Sequence, residues 1–351
     1  MTALAVQPCT VFAAPEERTA PAPAETRGIP RDGVRMLVGT RDGIEHTTFR
    51  HLPEHLNAGD LVVVNNSATM PWQVDATLAG RGPVVLHVAT PLGGSSWVVE
   101  LRAAPDASRA MLDAHAGDHL EVGRLVVTLR APYPFASSPT GDGNRLWRAD
   151  VDGDLAAHLE THGRPISYGY LDRRYPLEDY QSVFATVPGS AEMPSAGRPF
   201  TPEVVTRLVA AGVGVAPITL HTGVSSQEAG EGPQAEWFEV PGATARVVNA
   251  TRAAGGRIVA VGTTVTRALE SAVTEDGFVV GTSGWTERVV TRSEPPQVVD
   301  GLVTGWHDPH ASHLLLVEAV AGAALTQSAY EAAVREGYRW HEFGDSALLL
   351  P

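Results

Sequence analysis

A change of period divides this chain. From about residue 73 to residue 150, short apolar runs follow one another: Val84-Val85-Leu86-His87-Val88, Trp97-Val98-Val99-Glu100-Leu101, His119-Leu120-Glu121-Val122 and Arg124-Leu125-Val126-Val127-Thr128-Leu129. Gly, Pro or Asp clusters separate them. Strands at this spacing, with little 3.6-residue repeat between them, build a small barrel or sandwich. Beyond about residue 155 the spacing changes. Thr201-Pro202-Glu203 reads as a helix start, with Thr as the cap, Pro at the first helical position and Gly212 past the end. A strand over 213–220, a helix over about 243–254 and a strand over 257–261 follow. Gly262-Thr263-Thr264 then turns into a helix in which Val265, Ala268, Leu269 and Ala272 recur at i, i+3, i+4 and i+7. Further helices near 311–322 and 327–336 precede a last strand over 347–350.

Ahead of the strand-only stretch, residues 36–39, 45–50 and 61–64 read as strands, the last a buried Leu-Val-Val-Val run. The expected fold is therefore α/β: a three-layer α/β domain made of residues 30–75 and 151–351, with an inserted all-β, barrel-like domain over 76–150. Residues 1–29, rich in Ala, Pro and Glu between 13 and 30, are expected to form a disordered or extended arm, since such a composition cannot bury a core.

Charge narrows the partners. Forty acidic residues against 26 basic ones give a net charge of -14, the wrong balance for a general nucleic-acid binder, whose affinity comes from neutralising phosphates. Any nucleic-acid contact has to be local. The sequence contains no lysine, so all 26 basic residues are arginines, whose forked guanidinium groups suit carboxylates and phosphates. The lone Cys9 excludes an internal disulfide and a multi-thiolate zinc site, and a reducing, cytoplasmic setting is expected. No run approaches the roughly 18 apolar residues of a membrane span, and no export signal is read in the first residues.

Four places can carry chemistry. Gly262-Thr263-Thr264 sets backbone amides, two hydroxyls and a helix N-terminus past the carboxyl end of a strand, where α/β proteins hold anions; the same residues also make an ordinary capped turn. His221 ends a strand and is followed by Gly223, a place from which an imidazole can hold a ligand or move a proton, or simply pack half-buried. Glu236 lies on an alternating strand that equally reads as a solvated face. His307, His310 and His313 form the densest set of potential metal ligands, but Pro309 argues against one continuous helix through all three. No metal is expected.

At these residues the chain resembles the S-adenosylmethionine:tRNA ribosyltransferase-isomerase family of queuosine biosynthesis. The resemblance runs from about residue 30 to residue 350. It rests on Pro30-Arg31-Asp32, Gly59-Asp60-Leu61-Val62 through Asn65 to Pro71, Tyr180-Gln181-Ser182-Val183-Phe184-Ala185 and Pro194-Ser195-Ala196-Gly197. It continues through Thr219-Leu220-His221-Thr222-Gly223, Glu236, Gly256 to Thr264 with Arg267 and Glu270, His307 with Pro309, and Phe343-Gly344-Asp345. It implies a β-barrel inserted into an α/β domain. It also implies an unusual reaction, in which the ribosyl part of S-adenosylmethionine moves onto the aminomethyl group of a 7-deazaguanine base in tRNA and is isomerised, while adenine and methionine leave. S-adenosylmethionine is then a co-substrate and no cofactor is implied. The catalytic candidates are His221, His307 and Glu236. The substrate-binding candidates are Asn65, Ser195, Ala196, Gly197, Thr219, Gly262, Thr263, Thr264, Arg267, Glu270 and Asp345, with Arg267 or the helix N-terminus facing the substrate carboxylate. The sequence departs from the family at Asn66, Ala68, Gln73, Arg198, Pro199, Gln234 and Gly305. Several of these departures remove charged or protic groups, so tRNA, a small-molecule acceptor and mere binding of S-adenosylmethionine all stay open.

Overall fold

The computed structural model describes residues 6–13, 19–134, 143–224, 232–309 and 311–351. A nine-stranded sheet runs in the order Thr282–Thr286, Glu236–Val240, Gly214–Leu220, Leu61–Asn65, Ile258–Val261, Gly301–Thr304, Ser346–Leu350, Arg35–Thr40, Gly43–Thr48. The four strands from Gly214–Leu220 to Gly301–Thr304 are mutually parallel. Their alternating side chains explain the continuous apolar runs. Leu61 and Val63 join the core on one face and Val62 and Val64 the core on the other, and Ile258 and Ala260 are divided from Val259 and Val261 in the same way. A strand covered by helices on both faces has no solvent side on which to place polar residues.

Six antiparallel strands close into a barrel in the order Leu146–Asp152, Ser96–Ala103, Gly82–Gly93, Gln73–Leu78, His119–Val122, Leu125–Tyr133. The barrel lies in sequence between the sheet strands Leu61–Asn65 and Gly214–Leu220, so the mixed α/β architecture with an inserted β-barrel holds. Its strands reach from Gln73 to Asp152, a few residues beyond the expected 76–150 on each side. The helix Pro202–Ala210 begins as its sequence indicates, with the Thr201 hydroxyl accepting from the Val204 amide at 3.3 Å.

Two expectations need correction. The strand expected over 45–50 ends at Thr48, and Phe49–His55 is a 3-10 helix. Residues 19–29 do not behave as a free arm: Ala20, Ala22 and Ala24 are buried and Glu25–Arg27 is a 3-10 turn. Ala20 and Ala22 are small enough to seat among Tyr175, Tyr180, Met193 and Phe343. Glu25 ties the segment down by pairing with Arg31 at 2.7 Å and Arg198 at 3.0 Å. Farther back, the amides of Cys9 and Thr10 and the Thr10 hydroxyl all donate to Oε1 of the buried Glu318, at 2.8, 2.7 and 2.6 Å. Composition alone does not reveal such tethers, because they depend on specific partners such as Arg198 and Glu318, the latter some 300 residues away.

Candidate active site

The carboxyl ends of the parallel strands open into a cleft of about 1040 Å³, whose other walls come from the barrel side and from the chain's last turns. Strand ends supply the site because the strands themselves are apolar throughout, and polar residues appear only where the chain leaves the sheet. Gly262 makes one of these exits. Its φ of 91° favours glycine, and a Cβ there would stand 3.3 Å from that of Ala196. The helix Thr263–Ser271 thus starts close beneath the turn Ser195–Gly197, with no side-chain cap on its first amides. Ser195, Ala196, Gly262, Thr263 and Thr264 all line the cleft, where free amides and the helix dipole favour a negative group.

Arg267 lies one turn into this helix and also lines the cleft. Its guanidinium donates to the Glu236 carboxylate and to the backbone carbonyls of Arg288 (3.1 Å), Gln234 (3.0 Å) and Thr286 (3.2 Å). Four of the five N–H groups of an arginine are thereby engaged within the protein, so anion binding falls mainly to the helix N-terminus. Glu236 is similarly occupied: its other oxygen accepts the Gly223 amide at 3.0 Å. The strand reading of Glu236 was right, and the pairing with Arg267 turns it inward from the solvated face.

The histidines separate. His307 lines the cleft, its Nε2 lies 3.1 Å from the Thr304 hydroxyl, and its ring stacks on His313 at 4.8 Å with planes 8° apart. The chain breaks at Pro309 and the helix begins at Ser312, yet the two rings still meet. Burial, then the neighbouring His313 and His341, pushes His307 well below the usual imidazole range, and burial with Arg267 nearby brings His313 to about 4. Both are neutral imidazoles at physiological pH. His310 lies outside the described residues, and among those described no group of three or more His, Cys, Asp or Glu is arranged to hold a metal ion. His221 is not in the cleft lining. Its Nδ1 lies 2.8 Å from the Ser67 hydroxyl, its ring stacks on Trp237 at 5.2 Å, and a Cβ on Gly189 would collide with it at 2.5 Å. Burial lowers its pKa as well.

The remaining candidates support the site from behind. Asn65 joins strand to strand through the Leu220 carbonyl (2.8 Å) and amide (3.1 Å). Thr219 donates to Asn66 at 2.6 Å, and Gly197 is the buried residue of the Ser195–Gly197 turn. Glu270 accepts three consecutive backbone amides, Gln297 to Val299, at 2.8 to 3.1 Å. Asp345 accepts the amides of Arg35 and Arg339 at 2.9 and 2.7 Å.

The model of the family described as queuosine biosynthesis protein matches residues 10–349. The chain belongs to that family. It is 37% identical over 337 residues to the S-adenosylmethionine:tRNA ribosyltransferase-isomerase of Thermus thermophilus, covering 92% of this chain and 94% of that protein. It is 33% identical to the protein of the same description from Desulfitobacterium hafniense, over 97% and 98% of the two chains. Among solved structures it is similar to the S-adenosylmethionine tRNA ribosyltransferase of Thermotoga maritima, with 28% identity, a TM-score of 0.53, and 97% and 99% of the chains covered.

Sequence reasoning passed over several residues that this family member brings to the cleft. Arg102 comes from the barrel and lies over the Tyr168 ring at 4.7 Å, the Tyr168 hydroxyl donates to Glu192, and Tyr170, His341 and Glu342 complete that wall. Nothing in their local spacing signals a site. They come from the barrel, from the segment leading back into the sheet and from the last turn of the chain, and only the fold assembles them.

Proposed function

We propose that this protein is a ribosyltransferase-isomerase that uses S-adenosylmethionine as a co-substrate. On this reading the ribosyl moiety is transferred and isomerised onto a 7-aminomethyl-7-deazaguanine base of tRNA, and adenine and methionine are released. The observation that carries the reading is the uncapped start of the helix Thr263–Ser271, opening beside Ser195 and Ala196 into a cleft large enough for a nucleoside, in a chain of this family. The amides and hydroxyls of Thr263 and Thr264 take the methionyl carboxylate. The sulfonium acidifies the adjoining ribose carbon, and His307, a neutral imidazole with Thr304 at its Nε2, is the candidate to accept that proton. The Arg267–Glu236 pair is a fixed element that holds the strand ends in place.

A small-molecule acceptor is a second reading, favoured by one observation besides the net charge of -14. Arg198, which stands where the family carries another residue, points inward to Glu25 and to the Asp179 carbonyl and is not offered to a phosphate backbone. Incubating the protein with S-adenosylmethionine, and following adenine and methionine with and without tRNA carrying the deazaguanine base, separates the readings. Release only with that tRNA supports the first and release without it the second; tight binding with neither product overturns both in favour of a binding protein.

A further inference from the structure

The last turn of the chain brings the carboxyl group of Glu342 to the cleft. His341 sits at φ 67°, a left-handed conformation uncommon outside glycine. Its ring stacks on Tyr170 at 5.1 Å with planes 21° apart, and Tyr170 continues the stack to Tyr168 at 6.2 Å and 27°. The Gly344 amide donates to the His341 carbonyl at 3.0 Å, and Asp345 closes the turn through the Arg339 amide. Glu342 follows His341 on the cleft wall and accepts the Tyr170 hydroxyl.

No cation pairs with Glu342 among the described residues. The adjoining pocket, which Glu342 also lines, is bordered by the charged Arg31, Arg198 and Asp345. Arg31 is engaged by Glu25 and the Gln181 carbonyl, Arg198 by Glu25 and the Asp179 carbonyl, and Asp345 by two backbone amides. On the cleft side stand Tyr170, the imidazole of His341, which burial keeps neutral against the nearby Asp308, and beyond Tyr168 the Glu192 carboxylate and the Arg102 guanidinium, which bonds Glu100 and the Ala107 carbonyl. The Arg267–Glu236 pair and Arg288 line the same cleft. With no cation paired to it among the described residues, the half-buried carboxyl is pushed by desolvation up to about 7.

We propose that Tyr170, His341 and Glu342 form a purine subsite, in which an adenine ring extends the aromatic stack at its His341 end and the Glu342 carboxyl pairs with its edge. The chemistry of the two edges matches. A protonated carboxyl offers an O–H donor and a carbonyl acceptor side by side; adenine offers a ring-nitrogen acceptor beside its exocyclic N–H donor. Aromatic faces hold the flat ring without selecting an edge, so the carboxyl supplies the selectivity. The subsite deepens the S-adenosylmethionine reading by giving its adenine a place, and it also takes free adenine, the product of that reaction.

Calorimetric titration of the full-length protein with adenine tests this without turnover. Wild type is expected to bind at pH 6 and to lose about 30-fold at pH 8.5, in proportion to the protonated fraction. Glu342→Gln, whose amide also has a donor and an acceptor, keeps the affinity and loses the pH dependence, whereas Glu342→Ala loses tenfold or more at pH 6. N6,N6-dimethyladenine, which lacks the exocyclic donor, binds wild type at least tenfold more weakly than adenine. Undetectable adenine binding, equal binding by wild type and Glu342→Ala, or a pH dependence that survives in Glu342→Gln overturns the proposal. Glu342-dependent adenine binding in a protein that never releases adenine from S-adenosylmethionine counts against the enzymatic reading alone.

Discussion

The barrel and the sheet treat polar groups in opposite ways. Across the four parallel strands the core is apolar from edge to edge, and charged side chains appear where the chain leaves the sheet, at the cleft. The barrel buries its charges inside. Glu100 is fully enclosed, paired with Arg102 at 2.7 Å and Arg145 at 3.2 Å and hydrogen-bonded to His87 at 3.3 Å, while Gln73 holds the far side of the His87 ring at 3.0 Å. Burial raises the Glu100 carboxyl, but Arg145, His87 and Arg102 together outweigh it and hold the group well below the usual range. This cluster reaches the cleft through Arg102, stacked over Tyr168. The sheet presents its polar groups to the cleft at its rim, whereas the barrel's internal ion cluster holds Arg102 over Tyr168 at the same space.

The comparison breaks most readily at Glu100. Glu100→Gln leaves two buried guanidinium groups facing a neutral amide, and a loss of about 3–5 kcal/mol of stability is expected, the range for removing one partner of a buried ion pair. Urea denaturation measures it. A loss under about 1 kcal/mol, the range of surface pairs, would mean that the barrel cluster is no more than a solvated pair.

The rim of the sheet makes the complementary prediction, that its side chains matter to turnover before folding. His307→Asn is expected to slow adenine release by about 100-fold or more with an unchanged melting temperature. His221→Asn, outside the cleft and bonded to Ser67, should cost about 1 kcal/mol of stability and much less activity. Reversal of the two effects would move the catalytic role to His221.

Titration sharpens the same contrast. His307 and His313 are held neutral by burial, so their folded pKa values lie below the unfolded 6.5. The unfolded chain therefore takes up these protons first as the pH falls, and the contribution of the two histidines to stability is full above about 6.5 and declines toward about 4. Urea midpoints at pH 7 and pH 5 read the decline, and His313→Gln should flatten it. A midpoint that falls as much in His313→Gln as in wild type would assign the acid sensitivity elsewhere.

The smallest effect belongs to the chain's early tether. Thr10→Val removes one of three hydrogen bonds to Glu318 and should cost about 1 kcal/mol. Hydrogen exchange should accelerate over residues 6–13 with little change in the sheet. Uniform acceleration throughout would instead make the tether part of the global fold.

Much of this was legible locally. The barrel could be read from closely spaced strands without helical repeat, and the α/β part from apolar runs alternating with capped helices. The turn at Gly262 was legible because a glycine between a buried strand and an amphipathic helix is a local signal. Arg267 shows the limit: a basic residue near a helix start reads as an anion binder, yet its donors meet Glu236 and three carbonyls drawn from residues 234, 286 and 288. Residues 19–29 show another, since their Ala-rich composition contains no hint of Arg198 or of the aromatic cluster beneath them.

By itself, then, the sequence determined the elements, the two architectures and the family, because period, capping and motif blocks are properties of neighbouring residues. Tertiary structure decided which candidates face the cleft, which are consumed in holding it, and that Tyr170, His341 and Glu342 belong to it. Hydrogen bonding and desolvation depend on distance in space, and those three residues come from the segment after the barrel and the last turn of the chain. That placement leaves the half-buried Glu342 carboxyl without a cation among the described residues.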